Sequence, residues 1–176
     1  MNISFIKKVN GHYNSIDDID RLIEYCIGSK YIQNYALFGT NVLNLTHAVE
    51  SMSIIRNKFH KETGQLVQHF IFSIKPNRYL DVSHLIWYAE EVMYKVGYKL
   101  ADIGFQSIGF IHAKRNKIYE AEIGPFNVHI HFIVNTINGR DGHRMQDVKN
   151  LLNSLLLDLK RDYFLKNLNW KYVYME

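Results

Sequence analysis

Two histidines separated by a single hydrophobic residue, His129 and His131, stand in the run Phe126-Asn127-Val128-His129-Ile130-His131-Phe132-Ile133-Val134-Asn135. In a strand, alternate side chains face opposite sides, so Val128, Ile130, Phe132 and Val134 form an apolar face while His129, His131 and Asn135 share the other. Two imidazoles at that spacing lie close enough to bind one metal ion, and Ile130 between them anchors the strand in the core. Paired histidines also occur as plain surface or core residues, so the pair alone leaves both readings open. His112 adds weight. It closes the apolar run Ile108, Phe110, Ile111 on a neighbouring predicted strand, and a hairpin across residues 113–125 would bring it beside the pair. Three protein ligands leave positions for water and substrate, the pattern of a catalytic rather than a structural metal. Asn135 either holds a group near this site or finishes the strand.

The residues also carry a resemblance. Gly109-Phe110-Ile111-His112, followed by Asn127 to Asn138 with its His-hydrophobic-His strand and hydrophobic run to an asparagine, resembles the metal-binding motif of the relaxase, or mobilisation nuclease, branch of the HUH endonucleases. Upstream, Gln68-His69-Phe70-Ile71-Phe72-Ser73-Ile74-Lys75-Pro76 is similar to that family's strand before its second helix, and residues 17–30 to its tyrosine-bearing first helix. The likeness spans residues 17 to about 165. It departs from the family where Ala113-Lys114-Arg115 replaces the usual acidic residue after the upstream histidine and the loop is longer, which makes Glu120, Glu122 and His69 alternative donors to His112.

The resemblance implies a metal-dependent DNA-nicking enzyme of a mobile element. In such enzymes a tyrosine hydroxyl attacks the scissile phosphate and leaves a 5′-phosphotyrosine link and a free 3′-hydroxyl, while a divalent ion, Mg²⁺ or Mn²⁺, polarises the phosphate. Composition cannot choose among twelve tyrosines. Because relaxases place the nucleophile before the histidine motif, Leu22-Ile23-Glu24-Tyr25-Cys26-Ile27-Gly28-Ser29-Lys30 points to Tyr25, with Tyr31 in reserve. Lys30, Lys114, Arg115, Lys117, Arg140 and Arg144 flank the site in sequence and are the candidate phosphate contacts, although charge on loops is usually only solvation. The implied partners are single-stranded origin DNA and accessory relaxosome proteins. A rolling-circle replication initiator would use the same chemistry with a tyrosine after the histidines, such as Tyr163. A non-catalytic nucleic-acid-binding module would stack bases on aromatics without needing a metal.

Elements must position these groups. Residues 3–9 read as a first strand and 11–14 as a turn, after which Ser15 with Asp18 makes a capping pattern for a helix carrying Ile16, Ile19, Leu22, Ile23 and Cys26 to about Gly28. Residues 34–45 are ambiguous. Thr46 is expected to cap a helix through Val49, Met52, Ile55 and Phe59 that Gly64 stops. Strands follow at 66–74, 105–113 and 126–137, with helices over 82–96, ending at Gly97, and over 143–165. Residues 170–175 suit a closing edge strand, and Asn138-Gly139 and Asp141-Gly142 are turn signals. This order predicts an α+β domain, a mostly antiparallel central sheet (a ferredoxin-like palm) packed with helices, formed by residues 1–176 as one unit.

Bulk properties agree and add little. The 176 residues are 47% hydrophobic and 22% charged, ordinary globular values, and no low-complexity tract or proline-rich linker divides them. A net charge of +4 fits a polyanion partner without requiring one. A lone cysteine, Cys26, precludes an internal disulfide framework and suits a reducing, cytoplasmic setting, and no apolar run is long enough to predict a membrane-spanning helix.

Overall fold

Hydrophobic side chains on both faces of the central strands require cover on two sides, and the protein supplies it with two helix pairs. A computed structural model describes residues 4–42, 44–75, 80–115 and 126–172. In chain order these form β1 (Phe5–Lys8), α1 (Ile16–Ile27), β2 (Ile32–Phe38), α2 (Ala48–Lys58), β3 (Val67–Ile74), α3 (Val82–Asp102), β4 (Ser107–Arg115), β5 (Phe126–Asn135), α4 (Val148–Arg161), a 3₁₀ turn (Lys166–Leu168) and β6 (Lys171–Tyr172). The sheet order is β2-β4-β5-β3-β1-β6. The first five of these strands pair antiparallel, and β6 joins β1 in parallel. The expected α+β architecture with a mostly antiparallel sheet is what the chain adopts.

The strand period decides which layer each residue joins. On one face, Phe70, Phe72, Ile130, Phe132 and Val134 pack with the apolar stripes of α3 and α4. On the other, Val67, Ile108, Phe110 and Ile133 pack with Ile19, Leu22, Ile23 and Cys26 of α1 and with Ala48 and Met52 of α2. The histidines of β4 and β5 lie in register rows of this second face, beyond the reach of α2 and beside the C-terminal end of α1.

Ser15 caps α1 as expected. Its hydroxyl accepts from the Asp18 amide, and the Asp18 carboxylate accepts in return from the Ser15 amide. Five other points of the sequence reading are settled or corrected. The ambiguous stretch contains β2, an edge strand whose alternating exposure hides the usual apolar signal. Thr46 does not cap α2, because Asn44 sits upstream and its side-chain oxygen accepts from the His47 amide. Nor does Gly64 stop α2. The stop is His60 in the left-handed region (φ 53°), with Lys61 and His60 amides returning to the Arg56 and Asn57 carbonyls.

Helix α3 continues through Gly97 to Asp102, so that glycine serves packing and not termination. A Cβ there would lie 2.3 Å from the Phe38 ring. Finally, α4 is shorter than its periodicity predicts. Residues before it are held extended by the Met145 amide on the Thr136 carbonyl, and Asp147 starts the helix by accepting from the Asn150 amide. Asp162 ends it with extended backbone and an ion pair to Lys95 at 2.6 Å.

Candidate active site

Antiparallel pairing of β4 with β5 sets His112 directly opposite His129, with His131 one pleat further along the same face. The imidazole centroids are 5.5 Å apart for His112 and His129, 4.7 Å for His112 and His131, and 4.9 Å for His129 and His131. One ring nitrogen from each lies within 4.8 Å of the others, so the hairpin brings together the three expected ligands. His112 and His131 are each only 3% exposed.

The ring nitrogens sort into those with partners and those without. His112 Nε2 donates to the Cys26 carbonyl at 2.7 Å, since a carbonyl can only accept, and this leaves Nδ1 with a free lone pair. His131 Nδ1 is 2.8 Å from His69 Nε2, and His69 Nδ1 is 3.2 Å from the Tyr13 hydroxyl. His129 Nδ1 and His131 Nε2 are buried with no hydrogen-bond partner among the described residues. Burying a polar nitrogen without a partner is costly unless another group completes it.

Burial is also the main reason the site is held neutral. It pushes His129 down to about 4, helped by the neighbouring His112 and Lys7, and lowers His131 to about 2, with His69 and the other imidazoles adding to it. His112 is lowered by burial as well. Neutral imidazole is the form that ligates metals, so the orphaned nitrogens, their convergence and their protonation state all fit a divalent cation bound by His112, His129 and His131.

Tyr25 sits on the last turn of α1, 63% exposed, with its ring edge-on to His131 at 5.9 Å between centroids. The helix therefore delivers two groups at once: the tyrosine hydroxyl and, from the next residue, the carbonyl that fixes His112. Tyr31 is half-buried and lies between cations, with Lys30 Nζ and Lys114 Nζ each 5.3 Å from its ring centroid. Tyr163 is placed elsewhere. It follows α4, on the layer that covers the opposite face of the sheet, and is 75% exposed.

The expected phosphate contacts divide by position. Lys30 and Lys114 border the histidine end of the sheet, and Arg115 is exposed at the end of β4. Arg140 and Arg144 lie beyond the other end of β5, past Asn135. Arg144 is occupied there, donating to the carbonyls of Lys61, Thr63 and Gln65. Asn135 is likewise structural, fully buried and bonded to Arg56, Met52 and Gln106. Lys117, Glu120 and Glu122 fall outside the described residues. Two neighbours went unsuspected in the sequence. Tyr13 stood in a turn with nothing to link it to His69. Lys7 on β1 shares a register row with Ile71 and His131, and with Phe5, Ile71, Ser73, Asn127 and His129 it lines a depression of about 140 Å³.

Three imidazoles converging on the second face of the sheet beside an exposed helix-borne tyrosine are a donor set that could hold one metal ion next to a hydroxyl. The model of the relaxase family, MobA/VirD2-like nuclease domain, matches residues 25–157, and the chain belongs to that family. The matched span begins at Tyr25 and contains His69, His112, His129 and His131. No curated protein and no solved structure matches the chain. The family makes the protein a DNA relaxase-type nuclease domain. No helix among the described residues is long and apolar enough to cross a membrane.

Proposed function

We propose that this chain, as one nuclease domain over residues 1–176, is a site- and strand-specific DNA-nicking endonuclease and transesterase that prepares a mobile element for conjugative transfer. The observation that carries this reading is the pair of orphaned nitrogens, His129 Nδ1 and His131 Nε2, converging beside the exposed Tyr25 ring. Tyr25 Oη attacks the scissile phosphorus. The new bond is tyrosyl oxygen to phosphorus, the bond broken is phosphorus to the 3′ oxygen, and the phenolic proton is balanced by the proton the departing 3′-hydroxyl acquires. The phosphodiester energy stays in the 5′-phosphotyrosine link and is available for rejoining.

His112, His129 and His131 would hold a divalent cation, which would supply Lewis-acid stabilisation of the charge that develops on the phosphate. Of the two ions expected from the sequence, Mn²⁺ suits the set better than Mg²⁺, because among the described residues no carboxylate joins these three nitrogens. Lys30 and Lys114 supply positive charge where the strand would enter, and Tyr31 between them offers a ring for stacking. The substrate is single-stranded or extruded origin DNA, met in the cytoplasm with accessory relaxosome proteins that recognise the origin.

The test uses single strands tiled across the element's own origin, Mn²⁺, and a denaturing gel for covalent adducts. The unsubstituted protein and Tyr163→Phe should form the adduct and Tyr25→Phe should not. An adduct of undiminished yield with Tyr25→Phe would remove Tyr25 from the role. Loss with Tyr163→Phe alone would favour the replication-initiator arrangement.

A further inference from the structure

Metal-ligating histidines are normally oriented from behind: the nitrogen not facing the ion donates to a carboxylate, a carbonyl or water. His112 has such a partner in the Cys26 carbonyl. Behind His131 stands another imidazole, His69, stacked with it at 5.0 Å between centroids, 4% exposed, and bonded in turn to Tyr13. His69 was a candidate ligand in the sequence. Its place is behind His131 instead: both of its ring nitrogens are engaged, Nε2 with His131 Nδ1 and Nδ1 with the Tyr13 hydroxyl, and it is not among the three that converge.

Two proton arrangements satisfy this chain. In one, the Tyr13 hydroxyl donates to His69 Nδ1 and His69 Nε2–H donates to His131 Nδ1, which leaves the proton of His131 on Nε2. In the other, each bond is reversed: His131 Nδ1–H donates to His69 Nε2, His69 Nδ1–H donates to the Tyr13 oxygen, and His131 Nε2 presents a bare lone pair. Both are neutral, and only the second can ligate. Burial favours neutrality throughout, lowering His69 to about 4 and raising Tyr13.

We infer that His69, backed by Tyr13, is a positioning residue that selects the ligating tautomer of His131 by accepting its Nδ1 proton. The inference rests on the reading of His112, His129 and His131 as a metal centre, but not on DNA cleavage. Because the acceptor is a neutral imidazole and not a carboxylate, it orients the ligand without adding negative charge behind the centre.

The experiment is titration of the chelator-stripped protein with Zn²⁺, a diamagnetic probe, together with ¹⁵N-histidine NMR of the loaded and stripped forms. The loaded protein should show both His131 and His69 protonated on Nδ1. His69→Leu should weaken Zn²⁺ binding about 10- to 100-fold, the usual effect of removing such a partner. His69→Gln, which places an acceptor oxygen near the position of the lost Nε2, should restore most of the affinity at equal thermal stability. A loaded form with His69 protonated on Nε2 overturns the inference even if His69→Leu fails to fold. So does a folded His69→Leu that binds as well as the parent. If the unsubstituted protein binds no Zn²⁺, the metal centre itself is lost and the inference with it. If it binds but nicks no DNA, only the proposed activity is affected.

Discussion

Cys26 acts through two different atoms. Its carbonyl accepts from His112, while its thiol is fully buried in the core between α1, α2 and the sheet. Burial raises the thiol to about 12, so near pH 8 almost none is thiolate in the folded state, whereas an unfolded cysteine ionises readily. Iodoacetamide at pH 8 should therefore leave Cys26 unmodified in the native protein and alkylate it fully in denaturant, as read by mass spectrometry. Rapid native labelling would mean that the end of α1 opens. The contrast with Tyr25, its exposed neighbour, shows how a single residue step of about 100° around the helix separates a group meant for solvent from one meant for the core.

At the scale of elements, the site depends on where α1 begins and how α3 seats against the sheet. Replacing Ser15 with Ala removes the cap that satisfies the Asp18 amide and should cost about 1 kcal/mol, seen as a lower denaturant midpoint at unchanged slope. Gly97→Ala sets two effects against each other. Ala gains about 1 kcal/mol in helix propensity, but its Cβ meets the Phe38 ring, which Tyr94, Tyr98 and Phe132 hold from other sides, and overpacking costs roughly 1–3 kcal/mol. Net destabilisation is expected in thermal unfolding. A more stable variant would show that Phe38 yields.

The same two helices show what the sequence made legible. Capping by Ser15 and the His-x-His alternation are local patterns, and both elements form, although the strand ends at Asn135 and not at 137 as expected. The extent of α3 was misjudged because a glycine needed for a tertiary contact looks identical to a stop. The pairing of His69 with Tyr13 spans 56 residues, and no local spacing encodes it. Likewise, β2 escaped because an edge strand has only one neighbour and a weak apolar face.

For the whole molecule, a net charge of +4 is too small to define a binding face, so the arrangement of cations matters more than their sum. Lys7, Lys30 and Lys114 gather at the histidine end, while Arg144 is committed to carbonyls at the other. Each lysine that contacts a phosphate should contribute about 0.7 to the slope of log affinity against log salt for single-stranded DNA. Lys30→Ala and Lys114→Ala should each flatten that slope by about this amount in fluorescence anisotropy titrations across a salt series. Arg144→Ala should leave it unchanged and lower stability instead. A slope that responds to Arg144 and not to the lysines would place the strand at the wrong end of the sheet.

The placement of Tyr25 and Cys26 on consecutive residues of α1 also constrains how this protein can vary over evolutionary time. Inserting or deleting one residue between Ser15 and Tyr25 would turn the helix end by about 100° and shift it by about 1.5 Å. The Tyr25 ring beside His131 and the carbonyl tether of His112 would both be misplaced by a single event. Descendants of this sequence should accordingly tolerate many substitutions on the exposed side of α1 while keeping its length fixed.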